Sequence, residues 1–131
     1  MTSFDAETLA QQLAQLGRDL DEEVLNLGKL EEAAVDAERE FRKAEFTYDD
    51  SIDKAFLAND GSVEVRKAQA RVDCGVDKVV MVGESLEWSR AKAKVRVQNA
   101  NLSAIRTRID IGRSLLARER SLLSLGGIGE T

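Results

Sequence analysis

From Leu9 to Ala55 the apolar residues recur at steps of three or four, and no proline occurs anywhere in the chain to interrupt them. The series is Leu9, Leu13, Leu16, Leu20, Val24, Leu27, Leu30, Ala34, Ala37, Phe41, Ala44, Tyr48, Ile52 and Ala55. Spacing close to 3.5, kept up over almost seven heptads, predicts one long coiled-coil helix rather than a short globular one. Proline would remove a backbone donor and clash with the preceding turn, so its absence leaves such a helix free to continue. Ser3 is placed to cap it, with Asp5 and Glu7 in the first turn against the helix dipole. Helix 1 is thus expected from about residue 4 to about residue 58.

Asn59, Asp60, Gly61 and Ser62 are the one concentrated turn signal in the body of the chain. Gly61 can take a left-handed conformation and Ser62 can cap a following helix. A second periodic stretch then runs from 63 to about 123, and the glycines at 126, 127 and 129 predict a flexible tail over 126–131. Two helices of similar length joined by four residues make an all-α antiparallel αα-hairpin, read as a single domain over 1–125. The alternative is a three-helix bundle with a break near Gly83, because Val79, Val80, Met81 and Val82 just before it are locally strand-like.

Helix 2 carries two apolar lines, each repeating every seven residues. Val65, Val72, Val79, Leu86, Ala93 and Ala100 form the first, which is expected to face helix 1. Met81, Trp88, Val95, Leu102, Ile109, Leu116 and Leu123 form the second, far around the helix at 100° per residue. One neighbouring helix cannot cover both. The second line is therefore expected to be an interface with a further protein surface, most simply in a homodimer forming a four-helix bundle. Trp88 on that line is expected as a core or dimer residue, with an anchor for a foreign partner as the alternative.

The net charge of −5 over 131 residues conceals a polarised chain. Residues 1–60 hold 16 acids against 6 bases, whereas residues 90–120 hold 9 bases against Asp110 and Glu119. Arg71, Lys78, Ser85, Lys92, Asn99, Arg106, Arg113 and Arg120 lie seven apart, an acid-free ribbon. Two readings follow. Folding about Gly61 would bring residues 90–120 beside the acids of helix 1, so that opposite charges fix the pairing. Alternatively Lys92, Arg106, Arg113 and Arg120 would contact a nucleic-acid backbone, although the ribbon has no stacking aromatics.

Chemistry of the familiar kinds lacks its residues. The chain has no histidine, and its one cysteine, Cys74, can make neither an internal disulfide nor a CxxC motif. Ser/His/Asp, Cys/His and Glu-x-x-His sets are all missing, so no catalytic residue, cofactor or metal is expected. Asp49, Ser51 and Asp53 lack the glycine and the terminal glutamate of a calcium loop. No apolar run approaches the ~20 residues of a membrane span, and the first residues carry no signal-peptide pattern. A cytoplasmic protein without membrane attachment is expected.

Two segments, YDDSIDKAFLANDGSVEVRKAQA at 48–70 and IRTRIDIGRSLLARERSL at 105–122, resemble small helical proteins encoded by tailed phages and prophages of Gram-positive bacteria. In that group a long helix, a glycine turn followed by SV-x-x-R-K-A and a C-terminal RIDIGRSL stretch recur. The resemblance covers about half the chain and its motifs are architectural. It implies a phage accessory protein acting in the host cell, near DNA replication and recombination or against a host protein, and it carries over no catalytic residue. The functional expectation is a non-enzymatic interaction protein. A DNA-binding accessory and a virion or assembly component are the alternatives.

Overall fold

The computed structural model describes the backbone of residues 3–129 and the side chains of residues 5–126. It contains three helices: α1 (Ser3–Ala58), α2 (Val63–Asp73) and α3 (Gly75–Gly129), with no strand among the described residues. The fold is an all-α helical hairpin. No described helix is long and apolar enough to cross a membrane.

The reversal lies where the turn residues place it. Gly61 has φ +111°, a value only glycine adopts readily, and a Cβ there would also crowd Val65 Cγ1 at 3.3 Å. Ser62 stands before α2 with φ −69° and ψ 163°, and its Oγ accepts from the Val65 amide at 3.3 Å. Asn59 closes α1: its amide donates to Ala55 O at 3.2 Å, while its Nδ2 donates to the same carbonyl at 2.7 Å and to Asp73 Oδ2 at 3.2 Å. Gln69 Nε2 donates to the other Asp73 oxygen at 2.8 Å. These donors hold the Asp73 carboxyl below the usual carboxylate range, Gln69 contributing most and Asn59 next.

The interruption in the second arm comes at Cys74, not at Gly83. Cys74 leaves helical geometry at φ −101°, ψ 19°, yet its amide donates to Ala70 O at 3.0 Å and its carbonyl accepts from Lys78 N at 3.0 Å. Hydrogen bonds of helical spacing thus lead into and out of the residue, so α2 and α3 continue in one direction and the chain does not fold back. Gly83 lies inside α3 with helical neighbours on both sides. At the far end α3 runs on to Gly129, six residues beyond the expected end. Of the expected flexible tail, 126–129 is therefore helical, and Glu130 and Thr131 lie outside the described residues. Ser3 is the first residue of α1 rather than the residue before it.

Where a single domain over 1–125 is expected, the chain divides into two compact units, residues 1–28 with 96–131, and residues 29–95. Paired helices touch only neighbouring turns and the stretch opposite, so contacts do not gather into one centre. Within each unit a stretch of α1 runs antiparallel to a stretch of the second arm.

In the unit formed by 29–95, Ala70 and Cys74 are buried and Asp77, Met81, Glu84, Trp88, Ala91 and Val95 are half-buried, at alternating steps of four and three. In the other unit Gln98, Leu102, Ile109, Leu116 and Glu119 are buried, with Ile105 and Gly112 half-buried in the same rhythm. This is the 3.5-residue period of two helices packed side by side. On α1 every residue of the predicted series is at least half-buried except Val24.

Candidate interaction surfaces

The burial pattern assigns the two apolar lines of the second arm the opposite way from the sequence expectation. Leu102 is 1% exposed and Ile109 and Leu116 are buried, while Met81, Trp88 and Val95 are half-buried; only Leu123 is exposed. The proposed interface line is therefore internal to the hairpin and is no free surface. Trp88 stacks on Phe41 of α1, ring centroids 5.4 Å apart at 25°, so it anchors the second arm to the first instead of a foreign partner. By contrast Val72, Val76 and Val79 are 74%, 77% and 71% exposed, and Val65 and Leu86 are exposed beside them.

The reason for the exchange lies in the companion positions. A two-helix seam needs two positions per heptad, and the partners of the internal line include Asp77, Glu84, Gln98 and Glu119. Four of the eight companion positions from Ala70 to Glu119 are thus polar, which leaves the seam looking like a single apolar stripe. The outer line, flanked by Val76, Val82 and Val97, looks wider in the sequence.

The two fully buried polar seam residues differ in their partners. Gln98, 4% exposed, donates through Nε2 to the main-chain carbonyl of Glu23 at 2.9 Å and also to Glu23 Oε2, and its own Oε1 accepts from Asn101 Nδ2 at 3.5 Å. Glu119 is buried with Oε2 unpartnered among the described residues. Burial, then the nearby carboxylates Asp77 and Asp73, push the Cys74 thiol up, which keeps it protonated.

The outward face of the unit formed by 29–95 carries a run of exposed aliphatic side chains. Along residues 65–89 the positions pointing away from α1 are Val65, Ala68, Gln69, Val72, Gly75, Val76, Val79, Val82, Gly83, Leu86 and Ser89. None carries a charge, in a chain that is 33% charged. Solvent-facing helix surfaces are normally the charged ones, and this one is not.

Among residues 6–126 the basic ribbon makes no ion pair with α1. Every ion pair among residues 6–126 joins residues three or four apart on one helix: Asp36 with Arg39, Arg42 with Glu38 and Glu45, Glu40 with Lys43, Asp50 with Lys54, and Glu87 with Arg90. Among residues 6–126 no pair crosses from α1 to α3. Arg108 lines a groove with Asp19, Glu22 and Glu23, but opposite charges approach there without closing to contact. Lys92 Nζ sits 3.9 Å over the Trp88 ring and Lys78 Nζ 5.8 Å from the Tyr48 ring. Arg106, Arg113 and Arg120 are exposed and take no ion pair among the described residues. Between 96 and 126 all the basic residues are arginines.

A cavity of about 660 Å³ lies near the turn between Asp49, Asp53 and Phe56 on α1 and Lys67 and Arg71 on α2. Asp49 and Asp53 are one helical turn apart on α1, a geometry unlike a calcium loop. Among the described residues no group of three or more metal-ligating side chains is arranged around a common point. Compared with known protein families, with curated proteins and with solved structures, the chain matches none.

Proposed function

We propose that this protein is a non-enzymatic helical interaction factor whose working surface is the uncharged outward face of residues 65–89, and that it acts by seating a helix of another polypeptide there. The observation that carries the reading is the run of exposed aliphatic side chains at seven-residue spacing on a face with no charge. A seam of that period is what a partner helix fills. The resemblance of 48–70 and 105–122 to small phage and prophage proteins supports a role as a phage accessory factor in the host cytoplasm.

Site-specific photo-crosslinking tests the reading. A photoreactive residue at Val72 should give a protein adduct in the expressing host, and the same group at Thr107, outward on α3 in the other unit, should not. Equal adducts at both positions, or none at Val72, would overturn it.

A second reading, nucleic-acid contact, is supported by Arg106, Arg113 and Arg120, which are exposed and, among the described residues, outside any ion pair. Arginine's planar fork suits phosphate oxygens. Duplex DNA binding should then fall steeply between ~50 and ~200 mM salt. Arg106→Glu/Arg113→Glu should abolish it, and no binding by the unmodified protein at low salt ends this reading.

A further inference from the structure

We infer that the occupant of the uncharged outward face is a second copy of this chain, packed antiparallel, α2–α3 against α2–α3. The inference rests on the reading of that face as the interaction surface and names the partner.

Size is the first argument. Val65, Val72, Val76, Val79, Val82 and Leu86 are each between 45% and 77% exposed. Together they expose several hundred Å² of apolar area, at or above the ~300–600 Å² of the largest patch on an ordinary monomer. Two such faces joined approach the ~800 Å² per partner of a stable interface.

Shape is the second. In the antiparallel register that sets Val79 of one copy opposite Gly75 of the other, Leu86 falls opposite Ala68 and Val72 opposite Val82. At the Val79–Gly75 and Leu86–Ala68 pairs a large residue meets a small one, and Val72 and Val82 pair as aliphatics of equal size. A Cβ at Gly75 or Gly83 would touch nothing within 4 Å, so at both positions there is room for a facing helix. Glycine in a helix costs about 1 kcal/mol relative to alanine, and packing within the chain does not account for it at these two positions.

Charge is the third. The same register brings Glu64 of each copy beside Lys92 of the other and Arg71 beside Ser85. Its one like-charge contact along that flank is Lys78 with Lys78 at the two-fold axis, and Val76 meets Val76 on the opposite flank. A parallel pairing would instead set Val65, Val72 and Val79 each against its own copy and would match none of the charges.

Sedimentation equilibrium of the full chain, with helicity followed by circular dichroism, tests the inference. The unmodified protein should associate to a dimer with rising concentration. Val79→Lys and Val72→Glu should each weaken the dimer at least a hundredfold with helicity of the monomer retained, whereas Lys78→Ala should tighten it several-fold. Under mild oxidation Val76→Cys should cross-link to itself and Val65→Cys should not; the buried, protonated Cys74 stays silent in both.

A monomer at all concentrations overturns the second copy while leaving the photo-crosslink at Val72 to decide whether a foreign helix takes the face. A dimer indifferent to both Val79→Lys and Val72→Glu overturns the inference and the reading of this face together. Self-cross-linking of Val65→Cys overturns the antiparallel register.

Discussion

Gln98 on α3 donates to the main-chain carbonyl of Glu23 on α1 at 2.9 Å while only 4% exposed, a polar pin inside an otherwise aliphatic stretch that holds Leu102 and Ile109. Its amide matches a carbonyl and a carboxylate of α1 with donors, which a carboxylate in its place cannot do. Gln98→Glu would set an acceptor against two acceptors in a buried site. A loss of about 2–4 kcal/mol is expected at pH 7, within the range for an unpaired buried charge or polar group. The defect should shrink at pH 4, where a protonated side chain regains a donor. Urea unfolding at the two pH values measures it, and an equal loss at both would contradict the role assigned to the amide.

Gly112 is required by close approach rather than by backbone conformation. A Cβ there would lie 2.6 Å from Leu13 Cδ2, a contact that only a shift of the leucine tip relieves. Gly112→Ala sets that shift against a gain of about 1 kcal/mol in helix propensity, so a net change within about 1 kcal/mol is expected. Gly112→Leu cannot be absorbed in the same way and should destabilise by about 1–3 kcal/mol through overpacking. Denaturant midpoints of the two variants should separate clearly.

The first arm was legible because its apolar series and its buried face coincide, from Leu9 to Ala55. The turn was equally legible, since Gly61 and Ser62 each supply a local device that a sequence displays directly. The second arm was not, and Gln98 shows why. A buried polar residue bonded across to another helix has no apolar signature, and it conceals the seam position it fills. Exposed valines such as Val72 and Val79 then imitate a core, because periodicity records which residues share a face without recording what covers that face. Cys74 was missed as the site of interruption for a related reason: its neighbours Ala70 and Lys78 keep helical hydrogen bonds, so nothing as strong as Gly83 advertised it.

Burial and exposure of the two lines give a direct contrast. Leu102→Ala removes a side chain that is 1% exposed and should cost about 2–5 kcal/mol, the range for leucine truncated in a packed interior. Val79→Ala removes one that is 71% exposed and should leave the stability of the monomer nearly unchanged, within about 0.5 kcal/mol. Thermal unfolding at a protein concentration low enough to exclude association separates the two. Equal losses would mean that the outer line is covered within a single chain.

Acid should loosen the turn through Asp73. Hydrogen bonds from Gln69 and Asn59 lower its pKa in the folded chain, so the folded state binds this proton less readily than the unfolded state does. The sign follows from linkage: the stabilisation is present above the unfolded carboxyl's pKa of about 3.9 and is lost as pH falls through the lower folded value. Asp73→Ala removes the acceptor at every pH. The thermal midpoint of the unmodified protein should therefore lie above that of Asp73→Ala at pH 6, and the gap should narrow below about pH 4 as the carboxylate is protonated. Asn59→Ala should narrow it from the other side, since it removes one of the two donors and returns the Asp73 pKa toward its ordinary range. A gap that stays constant from pH 6 to pH 2 would show that the carboxylate does not hold the turn through its charge.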